Sequence, residues 1–172
     1  YFDTVFSSVG SVTKELRIIN PGKHNLNIDH VCIAGGTSSR FRLNIDGEPG
    51  YEKFNVKIES GDSIFIFVDV FIDPGNDNSP VAVYDSIIFS LGEKNQKVHL
   101  LAWGQDINLI KKKKINSETW QKGKPYVIYE NVTVDTLETL TIEEGTRIFF
   151  HRNASMVIAG SIIVRGSIGS PV

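Results

Sequence analysis

The chain has 172 residues with 41% apolar and 22% charged side chains, so it can bury roughly 70% of its unfolded surface and needs no staples to hold a core. A formal net charge of -2 lacks the basic excess of a nucleic-acid-binding domain, and no apolar run is long enough to span a membrane as a helix. The single cysteine, Cys32, excludes an internal disulfide, and its strand-like setting "HVCIAGG" reads as a buried, inert thiol.

From the N-terminus the chain reads as short strands divided by turn residues. "VTKELRIIN" (12–20) stops at Asn20-Pro21-Gly22, where turn chemistry takes over. "NLNIDHVCI" (25–33) carries Leu26, Ile28, Val31 and Ile33, with a bulge expected where the alternation slips at Asp29–His30. "RFRLNI" (40–45) and "KFNVKI" (53–58) alternate strictly. They place Phe41, Leu43 and Ile45, then Phe54, Val56 and Ile58, on one face of half-buried strands. "SIFIFVDVFI" (63–72) is apolar on both sides, with Phe65, Phe67 and Phe71 opposite Ile64, Ile66, Val68, Val70 and Ile72. That pattern predicts a central strand, or one whose outer face meets a neighbour. "YDSIIFSL" (84–91) and "QKVHLLAWG" (96–104) follow across the loop "GEKN". Strands near ten-residue intervals predict an immunoglobulin-like β-sandwich over 1–106, one without the Cys…Trp…Cys spacing of antibody domains.

Residues 107–124, "INLIKKKKINSETWQKGK", break the pattern. Four successive lysines cannot alternate in and out of a core, so this stretch reads as a connector or capping segment, or an exposed edge strand. From 125 to 172 apolar pairs recur: Tyr126/Ile128, Val132/Val134, Leu140/Ile142, Ile148/Phe150, Met156/Ile158 and Ile162/Val164. Taken in threes they superpose, 126 on 148, 132 on 156 and 140 on 162, at spacings of 22, 24 and 22 residues. Three strands per period of that length predict the N-terminal coils of a right-handed parallel β-helix, with Gly145, Gly160 and Gly166 at its corners. Antiparallel hairpins are the alternative. Two coils are too few for a stable array. Val172 is therefore expected to fall inside a longer β-helix, or another molecule covers the open end. The outward positions Val127, Phe149, Val157 and Ile163 are apolar, which predicts a cover, either the first domain or the segment around Trp120.

The pieces "DTVFSSVGSVTKELRIINPGKHNLNIDHVCIAGG", "VDVFIDP", "DSIIFSL" and "VHLLAWGQD" resemble the Hydin-like (ASH-type) immunoglobulin-like domains of bacterial surface proteins. The stretch "KPYVIYENVTVDTLETLTIEEGTRIFFHRNASMVIAGSIIVRGSIGSPV" resembles the start of the parallel β-helix that follows such domains in Gram-negative anaerobes. The resemblance implies an all-β protein that is exported and anchored at the cell surface, in the periplasm or at the outer membrane. It carries over no functional residue.

No catalytic, cofactor-binding or metal-binding residue is expected from the sequence. His24, His30, His99 and His151 are scattered and lack metal-site spacing. "DPGNDN" (73–78) is oxygen-rich but lacks the EF-hand order, and turn formation accounts for it. "KKKK" (111–114) reads as a solvated edge before it reads as a phosphate or lipid site. Glu143 and Glu144 are adjacent, so they point apart and make a poor acid–base pair. The sequons at Asn131 and Asn153 read as corner residues whose side chains bond the backbone. No serine or cysteine lies beside a histidine in sequence. The expected role is a non-enzymatic segment of a surface protein, a spacer and binding scaffold for glycan or a protein surface; a separate reading is a segment that only mediates self-association through the open coil edge. The alternative is the N-terminal part of a polysaccharide lyase or hydrolase whose catalytic coils lie beyond residue 172.

Overall fold

The computed structural model describes residues 1–73, 80–111 and 114–172. It is all-β: among the described residues the only helical element is a single 3₁₀ turn at Gly36–Ser38. The chain divides into two compact units, the first ending at Gln105 and the second spanning Asp106–Val172.

The first unit holds β1 (Thr4–Phe6), β2 (Lys14–Ile19), β3 (Leu26–Ile33), β4 (Phe41–Ile45), β5 (Glu48–Gly50), β6 (Glu52–Ile58), β7 (Ser63–Val70), β8 (Val81–Leu91) and β9 (Lys94–Gln105). They form a five-stranded sheet in the order β1-β9-β8-β3-β6 and a four-stranded sheet in the order β2-β7-β4-β5. Every pairing is antiparallel except β1 with β9. One core joins the two sheets: Ile28, Val31, Ile87 and Ala102 from the first meet Phe41, Ile45, Ile66 and Val70 from the second. As the pattern predicts, β7 is central, with its isoleucines and valines buried and Phe65 and Phe67 on the outer face.

The alternation does slip at Asp29, but not as the expected one-sided bulge, because the facing strand slips with it and the register is kept. Ile28 faces Val56 and His30 faces Phe54, while Asp29 and Asn55 stand unpaired between them. Asn55 takes φ +53°, and both strands change face together. Phe54 is therefore not a core residue. It is 58% exposed and stacks on the His30 ring at 4.1 Å. Strict alternation placed it inward because nothing in the string "KFNVKI" marks Asn55 as left-handed.

The second unit holds β10 (Asn108–Ile110), β11 (Lys114–Ile115), β12 (Glu118–Trp120), β13 (Tyr126–Ile128), β14 (Val132–Val134), β15 (Thr139–Glu143), β16 (Ile148–Phe150), β17 (Met156–Ile158) and β18 (Ser161–Arg165). They make three short parallel sheets, β10-β13-β16, β11-β14-β17 and β12-β15-β18. The register is the one the spacing predicts: Tyr126 lies beside Ile148, Val132 beside Met156 and Leu140 beside Ile162. Among the described residues every pairing of these strands is parallel. The segment 107–124 supplies β10, β11 and β12, each the edge strand of its sheet.

The inner faces of the three sheets share a second core of Ile115, Trp120, Ile128, Val132, Val134, Leu140 and Ile142. Trp120 thus fills the interior, stacked on Tyr126 at 4.4 Å, and does not cover the outward positions. Of those four outward residues only Val127 is buried, and Phe149, Val157 and Ile163 are exposed. At the last layer the inner residues emerge too: Phe150, Ile158, Ile162 and Val164 are exposed, although their partners Ile128, Val134, Leu140 and Ile142 are buried.

Candidate functional site

The outer face of the five-stranded sheet gathers side chains that the sequence scatters. Inward positions on β8 and β9 are taken by Ile87, Phe89, Leu100 and Ala102, so the intervening residues point out. The pairing register sets them in rows. Trp103 sits beside Ala82, Leu101 beside Tyr84, and His99 beside Ser86. The next row runs Lys97, Ile88, Cys32 and Glu52, and the last Asn95, Ser90, His30 and Phe54.

Two aromatic rings stand free at one end of this face: Tyr84 is 70% exposed and Trp103 is 44% exposed. Below them Ser86 Oγ lies 3.1 Å from His99 Nδ1. An open depression of about 520 Å³ is lined by Ala34, Tyr84, Asp85, Ser86, His99 and Leu101. One wall is fixed by Asp85, whose Oδ1 accepts the Gly35 N–H at 3.1 Å and whose Oδ2 accepts the Ser39 hydroxyl at 2.5 Å.

A serine beside a histidine raises the question of nucleophilic catalysis. Among the described residues no carboxylate is bonded to His99 as a third member, because Asp85 is turned to the loop. The nearby Ser86 and Gly35 N–H groups are taken by Asp85 Oδ1 and the Ala34 N–H by Ser86 O, so none of these three is left to hold an oxyanion. The arrangement suits binding: flat rings, one hydrogen-bonding pair and room for a ligand along the strands.

The remaining sequence candidates are dispersed. Cys32 is half-buried on this face, not fully buried as its setting predicts. Burial, then the neighbouring Glu52 charge, push its thiol above the ordinary value, which disfavours the thiolate. His30 contacts Glu52 at 2.9 Å, and His151 stacks on Tyr129 at 4.2 Å. Among the described residues no three His, Cys, Asp or Glu side chains converge. Asp73 apart, the "DPGNDN" loop lies outside the described residues, as do Lys112 and Lys113. Lys111 lies 5.0 Å over the Tyr129 ring and Lys114 pairs with Asp135 at 2.9 Å. Glu143 pairs with Arg165 and Glu144 accepts from Ser167, so the two carboxylates serve different neighbours. Asn131 accepts the Ser155 hydroxyl at 2.9 Å, a tie between successive layers and not a bond to backbone.

The other outer face, on the four-stranded sheet, is largely satisfied internally. Phe65 and Phe67 stack at 6.3 Å, Arg17 lies over Phe65, and Arg42 lies over Tyr51 and donates to its hydroxyl. No local signal in the sequence could have joined Tyr84, Ser86, His99 and Trp103. Only the β8–β9 register does so.

No family model matches the chain, and no curated protein matches it in sequence. Among solved structures, a family 123 glycoside hydrolase from Clostridium perfringens is similar over 70% of this chain and 26% of its own, at 10% identity and a TM-score of 0.41. The CsuC–CsuE chaperone–tip adhesion subunit complex of Acinetobacter baumannii Csu pili is similar over 61% of this chain and 49% of its own, at 11% identity and a TM-score of 0.32. This chain thus spans less than half of either. Likeness at that level bears on neither the detail of the fold nor the function.

Proposed function

We propose that this chain is a non-enzymatic, glycan-binding segment of an exported cell-surface protein. In this reading the first unit is an immunoglobulin-like sandwich that acts as spacer and binding module. The second is built as coils of a right-handed parallel β-helix, its three short parallel sheets supporting that reading. The observation that carries the reading is the pairing of exposed Trp103 and Tyr84 with the Ser86–His99 couple on one flat face. A sugar ring offers a C–H face to an aromatic ring and hydroxyls at its rim, and this face offers the complement of both. A protein partner is less well matched. Serine is depleted in protein interfaces, whereas here Ser86 and His99 hold the middle of the face beside the rings.

Catalysis at the carboxylates has less support, since Glu143 and Glu144 do not face one another across an open cleft. The test is affinity electrophoresis through gels containing neutral or acidic polysaccharides, with the reaction mixtures assayed for new ends. Retardation by at least one polysaccharide that is lost in both Trp103→Ala and Tyr84→Ala is expected. Unretarded wild type, or variants that remain retarded, would refute the site. Release of reducing ends or unsaturated sugars would refute the non-enzymatic role.

A further inference from the structure

The outer face of the five-stranded sheet carries exposed aromatic rings at two places. Trp103 and Tyr84 stand at one end, and Phe54 stands in the last row at the other, beside His30. The paired slip at Asp29 and Asn55 puts it there. Ile28 and Val56 point into the core, so unbroken alternation would bury His30 and Phe54 as well. The left-handed Asn55 and its partner Asp29 turn both outward. One side of the Phe54 ring lies on His30 at 4.1 Å and 4°, and His30 is held in turn by Glu52 at 2.9 Å. At 58% exposure the other side of the ring is open to solvent. From Tyr84 to Ser90 β8 runs about 20 Å, and Ser90, His30 and Phe54 lie side by side across two strand spacings of about 4.8 Å, so Tyr84 and Phe54 stand about 22 Å apart. Between the two stations the floor is low, because Ser86, Ile88, Cys32 and Ser90 are half-buried.

We propose, resting on the glycan-binding reading of this face, that its ligand is an extended, equatorially linked glycan chain held at Trp103 and Tyr84 and again at Phe54. Two observations select this occupant. The first is spacing. A chain of equatorial linkages is a straight ribbon with a C–H face at every unit, so one chain can stack on both stations and cross the low floor between them. A single sugar or a disaccharide reaches one station only, and a chain of axial linkages curls away from the second. Ser86 lies along the crossing with His99 beside it, and the pair offers hydrogen bonds to the ribbon's hydroxyls. The second observation is the slip. Burying a phenylalanine favours folding, yet the two strands change face together and hold Phe54 in solvent, braced by His30.

The probes are cellohexaose, mannohexaose and chitohexaose, the disaccharide of each, and maltohexaose as the curled control, all titrated into the full chain by calorimetry. At least one of the three straight hexasaccharides is expected to bind, more tightly than its disaccharide by a factor of about ten or more, because a chain already held at one station reaches the other without a second association. Maltohexaose should bind no more tightly than a disaccharide. Phe54 is exposed, so Phe54→Ala keeps its fold, checked by circular dichroism. Its affinity for the hexasaccharide should fall about tenfold with the weak disaccharide binding unchanged, and Phe54→Trp should retain both. Equal binding of hexasaccharide and disaccharide, tight binding of maltohexaose, or an unaltered Phe54→Ala would overturn the proposal. In each of those cases loss of binding in Trp103→Ala would leave the glycan-binding reading standing. Silence from all three straight hexasaccharides would overturn the proposal as well, and that reading would fall with it only if no polysaccharide retarded the chain.

Discussion

Leu140 and Ile162 are chemical near-equivalents one layer apart, and their substitution tests the stacked register directly. They pair side by side in β15 and β18, but Leu140 is fully buried while Ile162 is 41% exposed. Truncating a buried leucine removes its transfer free energy and leaves a cavity in the core it shares with Ile115, Ile128 and Ile142, so Leu140→Ala should cost about 3 kcal/mol. Ile162→Ala removes a side chain that solvent already reaches. It leaves no enclosed void, and the transfer of its buried fraction alone gives about 1 kcal/mol. Trp120 lies in the same core as Leu140 and reports on that unit once Trp103→Phe has silenced the other indole. Urea titrations of the two variants, followed by Trp120 emission in that background, should therefore separate by roughly a factor of three in free-energy loss. Equal losses, or a larger loss at Ile162, would mean that the layers do not stack as described.

Three further outcomes follow from the geometry. At Gly160 an added Cβ would lie 2.3 Å from both Asp135 O and Glu138 O, and neither backbone oxygen can move aside. Gly160→Ala should thus part β17 and β18 from the preceding layer, seen as faster amide exchange across 156–165. Asn20, almost fully buried, donates to the carbonyls of His24, Ile58 and Glu59 at 2.9, 3.1 and 3.0 Å. Asn20→Ala should destabilise the first unit by about 2 kcal/mol in urea melts. The Lys114 side-chain bond, then the Thr136 N–H, hold the Asp135 carboxyl below the ordinary carboxylate value. Its folded-state pKa is depressed, so its contribution is present above the unfolded value and lost as pH falls through the folded one. A carbon-detected titration should place Asp135 low in the wild type and higher in Lys114→Met.

The repeat was legible in the second unit because a parallel ladder writes its register as a fixed spacing. Ile128, Val134 and Leu140 must each recur one layer on, and the apolar doublets show it. The layer formed by β10, β11 and β12 was harder to see. Its sheets are reached after 18 and 19 residues at Asn108 and Lys114, not 22, and the lysine run hides Ile115. In the first unit, alternation located most strands and the central place of β7. It misassigned Phe54, because a left-handed Asn55 leaves no mark in hydrophobic pattern. The candidate site was illegible for a related reason. Tyr84 and Leu101, or Ser86 and His99, become neighbours through hairpin register, and β-register depends on turn geometry that residue types specify weakly.

The twin irregularity at Asp29 and Asn55 also constrains how such a chain can change. Excising either residue alone would slide one strand against the other and turn every later side chain to the opposite face. Excising both would leave each surviving pair where it was, at the cost of the Asp29 carboxylate that accepts the Gly92 N–H at 2.6 Å in the distant hairpin bend. The two positions therefore form one heritable unit: related chains should carry both extra residues or neither, and a lone deletion should surface only with its mate.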